Sequence, residues 1–175
     1  MTRFRSNGLK LASLLLLVFF GSVAGSRAQQ PDPMPNRWGP IAGLDADHQT
    51  VLVGVEGRFE NRSVLDGIPL QFRPGAHVIV LASGVVVSAD ANVHYRIPIE
   101  DNDTGLTPYA GGGVSVRYRS AGVLPTTGTD FGIGINVIGG STYETEGRGT
   151  PFLELRSTLS DRGTVALIGG LLFEL

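Results

Sequence analysis

Hydrophobic and polar side chains alternate along most of this chain. From Leu106 to Tyr118 the even-numbered positions are apolar or small, and the odd-numbered positions are mainly polar residues and glycines. A period of two places successive side chains on opposite faces of a β-strand. This segment is therefore predicted to be a strand with one apolar face and one polar face.

The same alternation recurs along the chain, and no helical period is found after the first 28 residues. The predicted strands are 49–60, 68–81, 85–99, 106–118, 130–145, 150–159 and 164–175, and 37–44 is the candidate for a short first strand. Arg73, Pro74 and Gly75 interrupt the second of these segments, which predicts a bulge or a bend there. The fold predicted is all-β, an antiparallel up-and-down transmembrane β-barrel of about eight strands, since single-chain bacterial barrels use an even number.

Residues 1–28 have the pattern of a secretory signal peptide. Arg3, Arg5 and Lys10 precede an almost wholly apolar stretch at 11–20, and small residues at 26 and 28 match the positions that a signal peptidase reads. The apolar stretch is shorter than the roughly 18 residues expected of a membrane-anchoring helix. We predict a cleaved signal peptide at 1–28, a flexible, proline-containing leader at 29–36 and the barrel at 37–175.

Composition narrows the classes of partner and chemistry. After residue 28 the chain has ten arginines, no lysine and sixteen acids, a net charge near −6 that argues against a nucleic-acid partner. The chain contains no cysteine, so disulfide bonds and thiolate chemistry are excluded.

Alternation alone leaves two opposite barrels open. In a soluble periplasmic barrel of the lipocalin kind the apolar faces line the inside and bind a small apolar ligand, whereas in a membrane barrel they contact lipid. The predicted apolar faces carry no charge, and the longer strands exceed the 9–11 residues that cross a bilayer, which favours the membrane barrel. Six aromatic residues near strand ends are then expected at the headgroup level, namely Phe59, Tyr95, Tyr118, Phe131, Tyr143 and Phe173.

The polar faces are then expected inside, where eight strands leave only enough room for side chains. Arginine suits such an interior because its planar guanidinium satisfies two carboxylate acceptors at once. Arg117 and Arg156 are expected to pair with interior acids. The predicted interior polar network consists of Glu56, Arg58, Asp90, His94, Arg96, Arg117, Glu144, Glu154, Arg156 and Glu174.

The second half of the chain resembles the small outer-membrane β-barrel proteins related to OmpA and OmpX. The resemblance rests on LTPYAGGGVSVRY, TDFGIGINVIGGSTYE, TPFLELRSTLS and VALIGGLLFEL. In that family a Pro-Tyr strand with small residues precedes a Gly-rich strand, a charged strand and a C-terminal strand ending in an aromatic residue, here Phe173, third from the end. The resemblance implies a location in the outer membrane of Gram-negative cells, contact with outer-membrane lipid, and the barrel-assembly machinery as a partner during biogenesis.

The chain shows no strong pattern for catalysis or metal binding. His48, His77 and His94 are scattered, lack zinc-ligand spacing and stand outside the His-x-Ser patterns of outer-membrane lipid hydrolases. We therefore expect no cofactor and a non-enzymatic structural, envelope-integrity or surface-interaction role, with segment 120–129 as the contact loop. A narrow porin and a lipid-modifying enzyme that uses His94 remain minor alternatives, and the sequence identifies no specific ligand or protein partner.

Overall fold

Eight antiparallel strands, paired in sequence order, close into a barrel in the computed structural model. It describes residues 35–60, 70–82, 84–99, 104–121, 129–145, 147–161 and 163–175. The strands are β1 (Arg37–Asp45), β2 (Thr50–Glu60), β3 (Leu70–Leu81), β4 (Gly84–Arg96), β5 (Leu106–Ala121), β6 (Thr129–Tyr143), β7 (Gly149–Leu159) and β8 (Thr164–Glu174). Pairing of β1 with β8, from Arg37↔Glu174 to Asp45↔Ala166, closes the barrel.

The predicted all-β, up-and-down barrel is confirmed. All seven predicted strands are present, and the segment at 37–44 supplies the eighth as β1. The largest differences are of three residues: β5 continues beyond its predicted end at 118 to Ala121, and β4 ends at Arg96 and not at the predicted 99. The predicted signal peptide, most of the leader and most of the predicted contact loop lie outside the described residues. No helix in the described part of the chain is long and apolar enough to span a membrane.

Pro74 interrupts the sheet without changing its register. The β2–β3 pairing stops at Glu56↔Gly75 and resumes at Phe59↔Phe72 with the same offset, while the β3–β4 pairing is continuous through this segment. Proline has no N–H to donate to a neighbouring strand, which accounts for the gap on one side. The predicted bulge is therefore wrong, and the side chains of β3 keep their faces past the proline.

Alternation sorts the side chains between the lumen and the outer surface. On β4 every even-numbered residue from 84 to 96 is buried, and every odd-numbered residue from 87 to 93 is exposed. Each strand contributes exposed large apolar side chains to the outer surface, whereas the interior contains buried arginines, carboxylates and histidines. The lipocalin-like arrangement, with the apolar faces lining the inside, is therefore wrong.

The two ends of the barrel differ in their aromatic residues. At the terminal end, where β1 begins and β8 ends, six strands present an outward-facing ring, and at the opposite far end two strands do so. The terminal-end rings belong to Trp38, Phe59, Phe72, Tyr95, Tyr143 and Phe173, and the far-end rings to Tyr118 and Phe131. All six predicted interface aromatics thus lie on the outer surface, and the structure adds Trp38 and Phe72.

The wall of the barrel is uneven at the far end. β5 and β6 are the longest strands, with 16 and 15 residues. Their mutual pairing extends to Ser120↔Thr129, but the pairing of β6 with β7 reaches only Ile135↔Leu159. Residues 129–134 of β6 therefore have no strand partner on the β7 side within the described residues, and we call this gap the notch.

Candidate functional site

Arg73 lies at the centre of the barrel interior, where its side chain has no solvent exposure. Its Nη1 donates to Glu154 Oε2 at 2.7 Å and lies 2.8 Å from His94 Nε2, and its Nη2 donates to Glu56 Oε1. These partners belong to β7, β4 and β2. One guanidinium group on β3 therefore links its two neighbouring strands to the opposite wall of the barrel.

Arg156 is the second cationic centre of the interior. Its Nη2 donates to Glu154 Oε1 at 2.8 Å and to Glu56 Oε2 at 3.2 Å, while its Nη1 donates to Asp90 Oδ2 at 2.9 Å. Glu56 and Glu154 are therefore each shared by Arg73 and Arg156. Both oxygens of each carboxylate accept hydrogen bonds. These hydrogen bonds and the opposite charges of the two guanidinium groups offset the free-energy cost of removing the carboxylates from water.

Tyr109 and Arg58 extend this network toward the terminal end. Arg58 Nη2 donates to the Tyr109 hydroxyl at 3.2 Å, and that hydroxyl donates to Glu154 Oε2 at 3.0 Å. The Tyr109 ring stacks on His94 with 4.8 Å between centroids, and the Arg58 guanidinium lies 4.3 Å from the centre of the Phe152 ring. Stacking and cation–π contacts thus fill the space between the ion pairs.

Charged residues form an outer layer at the terminal end. Arg37 lies 3.4 Å from Glu144 and 3.5 Å from Glu174, and Arg96 lies 2.9 Å from Glu60. The Glu174 side chain is 63% exposed. Its predicted place in the interior is therefore corrected to the rim, because β8 ends at this residue.

Arg117 also departs from its predicted role. Its Nη2 donates to the Thr164 hydroxyl at 2.8 Å, and its Nε has no hydrogen-bond partner in the described part of the barrel. It lies opposite Ser88, one inward-facing position closer to the far end than Asp90. The Asp90 carboxylate is engaged by Arg156 and His77. The expectation that Arg117 pairs with an interior acid is therefore wrong.

We expect Arg117→Met to lower the free energy of unfolding of the barrel by only about 1 kcal/mol, since it removes a single hydrogen bond to a neutral hydroxyl. The urea midpoint of the protein folded in detergent micelles measures this change. A loss of several kcal/mol would contradict the absence of an ion pair at Arg117.

The structure brings together seven of the ten predicted network residues as buried and mutually connected or ion-paired groups, namely Glu56, Arg58, Asp90, His94, Arg96, Glu154 and Arg156. Glu144 is half-buried and forms an ion pair with Arg37 in the outer layer at the terminal end. Sequence reasoning does not identify Arg73, because Arg73, Pro74 and Gly75 together predict an interruption of the strand, and it does not identify Tyr109. The signal for Arg73 was its phase, since it shares odd numbering with the inward-facing Gln71 and His77.

An amide layer lies beside the ion pairs. Asn136 Nδ2 donates to Asp90 Oδ1 at 3.1 Å and to Asn92 Oδ1 at 2.8 Å, and the Thr158 hydroxyl donates to Asn136 Oδ1 at 2.8 Å. The lumen at this level is thus filled by side chains that bind one another. No group of three His, Asp or Glu residues in the described ranges has the arrangement of a metal site.

Comparison with known proteins identifies the fold. No family model and no curated protein matches the chain. Among solved structures it is similar to Neisserial surface protein A (NspA), with a TM-score of 0.62 and 13% identity over 80% of this chain and 96% of that chain. It is also similar to the N-terminal β-barrel domain of Pseudomonas aeruginosa OprF, with a TM-score of 0.62 and 12% identity over 82% of this chain and 100% of that chain.

A third similar structure is that of the outer membrane enzyme PagL, with a TM-score of 0.51 and 9% identity over 80% of this chain and 99% of that chain. At these identities the likeness shows the fold alone. This chain therefore has the fold of small eight-stranded outer-membrane barrels.

Proposed function

We propose that this chain is an outer-membrane β-barrel protein, related to the OmpA/OmpX kind, with a non-enzymatic role in envelope structure or surface interaction. One observation carries the proposal: every strand presents exposed apolar side chains outside, while the interior holds a compensated network of buried charges. In lipid this arrangement leaves no edge strand and no unpaired interior charge at the centre of the barrel.

The outer surface supports a location in lipid. Val53 and Val55 are each 52% exposed and Ile133 is 66% exposed, with similar side chains on all the other strands. Soluble monomers rarely expose continuous apolar patches larger than a few hundred Å². The aromatic residues at the terminal end fit the interfacial girdle of membrane barrels.

The filled interior supports a structural role over transport. Arg73 and His94 have no solvent exposure, and Glu154 is 1% exposed. Eight strands enclose an interior that is just wide enough for such side chains. His94, on which the lipid-modifying alternative depends, contacts Arg73 and Tyr109 in this interior and does not reach the outer surface.

We expect the purified protein to give no sustained conductance in planar bilayers, because the network from Arg73 to Arg156 closes the lumen. Single-channel current recording measures this property. Stable open-channel currents from the wild-type protein, absent from a boiled sample, would favour the narrow porin instead.

We expect the full-length chain, expressed in Gram-negative cells, to be recovered from the outer membrane with an N-terminus at residue 29. Its band should migrate differently with and without boiling, because a closed barrel resists unfolding by detergent until it is heated. Cell fractionation, gel migration and N-terminal sequencing provide the measurements, and depletion of the barrel-assembly machinery should lower the folded fraction. Recovery in the soluble periplasm would contradict the proposed function.

A further inference from the structure

A cavity of about 710 Å³ lies at the far end of the barrel, beyond the ion-paired network. This volume falls within the range of pockets that hold small ligands. Its wall includes inward-facing Arg117 and Arg119 from β5, and outward-facing Phe131, Ile133 and Leu159 from β6 and β7. Residues of both faces line the cavity because it lies at the notch, where β6 has no β7 partner.

The two arginines of this cavity differ from the other inward-facing arginines. Five arginines of the interior form ion pairs with carboxylates, namely Arg37, Arg58, Arg73, Arg96 and Arg156. The ion pairs among the described residues include neither Arg117 nor Arg119. Two guanidinium groups two residues apart on one strand face therefore remain available to an anion, and their planar donor arrays match phosphate oxygens.

Arg119 is held in place by a short chain of hydrogen bonds. Its Nη2 lies 2.9 Å from His48 Nε2, and His48 Nδ1 lies 3.0 Å from Asp45 Oδ1. Because arginine only donates, Nε2 accepts and the Nδ1 proton is donated to Asp45. Asp45 also accepts from the backbone amides of Asp47 and His48. This chain orients Arg119 through His48. Asp130 lies opposite Arg119 on β6, but the ion pairs among the described residues do not join the two.

The outer side of the cavity is apolar and is suited to contact with lipid acyl chains. Phe131 is 64% exposed and Ile133 is 66% exposed at the edge of the notch. Between them is Gly132, which faces the lumen opposite Arg117, and an added Cβ there would meet no atom within 4 Å, so the cavity is open on the inner side of β6. Asp130 and Asp161 also line the cavity, but both are exposed, and water and salt screen their charges.

We propose that the notch admits the phosphate-bearing head group of an anionic membrane lipid into this cavity. The phosphate oxygens accept hydrogen bonds from Arg117 and Arg119, and the acyl chains remain outside against Phe131, Ile133 and Leu159. The lipid is favoured over a free phosphate ion because apolar and cationic residues line one continuous cavity. This lipid site goes beyond the structural role proposed above and requires only that the barrel be inserted in a bilayer.

The test uses the full-length chain, purified after export and reconstituted into phosphatidylcholine vesicles. Electron spin resonance measures how strongly spin-labelled phosphatidic acid associates with the protein relative to spin-labelled phosphatidylcholine. We expect a preference for phosphatidic acid that falls roughly tenfold in the Arg117→Gln/Arg119→Gln variant, the loss expected when charge-assisted hydrogen bonds are removed. Arg148→Gln makes the same type of replacement at one exposed arginine between β6 and β7 at the terminal end, so it is the control and should retain the preference.

A second variant, Gly132→Leu, keeps both arginines and places a bulky apolar side chain in the open part of the cavity opposite Arg117, so it should also reduce the preference. No preference in the wild-type protein, an equal loss in Arg148→Gln, or an unchanged preference in Gly132→Leu would overturn the lipid site. Displacement of the labelled lipid by an equal concentration of inorganic phosphate would assign the cavity to a free anion and overturn the proposal.

The boiling-dependent gel shift is measured on every sample to separate this inference from the proposed function. A wild-type protein that shows the shift but no lipid preference contradicts the lipid site alone. A wild-type protein without the shift contradicts the membrane barrel itself.

Discussion

Arg73→Met is expected to lower the free energy of unfolding of the barrel by about 5 kcal/mol, near the upper end of the range for breaking a buried ion pair. Arg73 has no solvent exposure and contacts Glu56, Glu154 and His94. Methionine occupies a similar volume but compensates no charge. Glu154 would then retain Arg156 as its ion-pair partner, and Glu56 would retain Arg156 and Arg58.

Urea unfolding in detergent micelles, followed by the boiling-dependent gel shift and by tryptophan fluorescence, measures the loss. Arg148→Met is the matched control, since Arg148 is exposed and belongs to none of the ion pairs described above, and it should change stability by less than about 0.5 kcal/mol. If Arg73→Met proves no more costly than this control, the central position of Arg73 is wrong.

A double-mutant cycle sharpens this prediction. Glu154→Gln removes one of the charges that Arg73→Met would leave uncompensated, so the double variant should lose less stability than the sum of the two single variants. Coupling energies between contacting groups are typically about 0.5–3 kcal/mol. Additive losses would indicate that Arg73 and Glu154 do not interact in the folded protein.

Val114→Arg is expected to destabilise the barrel in lipid vesicles by about 3 kcal/mol, the cost of a cation near the bilayer midplane on a lipid-facing strand. Val114 lies at the middle of β5, is 51% exposed and pairs with Ala91 and Ile135. The free energy of unfolding of the vesicle-inserted protein provides the measurement.

Leu44→Arg is the control for this second prediction. Leu44 is 60% exposed and lies one residue from the end of β1, where the same cation should cost about 1 kcal/mol or less. If Val114→Arg is tolerated as well as Leu44→Arg, the outer surface does not contact hydrocarbon at the level of Val114.

Alternation was sufficient to predict the strands and their faces, because a strand with one buried face must repeat every two residues. It was weakest in β1, where glycines lie inside and Pro40 lies outside, so the contrast between faces is small. The reason for the glycines is non-local. An added Cβ at Gly39 or Gly43 would collide with the backbone of β8. This contact between the first and last strands cannot be inferred from the residues of β1 alone.

The interior site could be predicted as a set of residues but not as a set of partners. Alternation assigns a side chain to a face, whereas its level along the barrel depends on how the strands pair. Arg73 and Glu154 are 81 positions apart and meet across the lumen. Arg117 faces inward as predicted, but it lies closer to the far end than Asp90 and donates to the Thr164 hydroxyl, not to an acid.

The distribution of the central charges has a consequence for how the chain folds. Glu56, Arg73, Asp90 and His94 belong to the first four strands, whereas Glu154 and Arg156 belong to β7. A sheet containing β1–β4 alone would include Glu56, Arg73 and Asp90. It would lack Glu154 and Arg156, with which these three residues form hydrogen bonds across the lumen. Their desolvation is compensated only when β7 arrives and β8 pairs with β1. We therefore expect partly closed forms to be sparsely populated and ring closure, a contact between the first and last strands, to limit the folding rate.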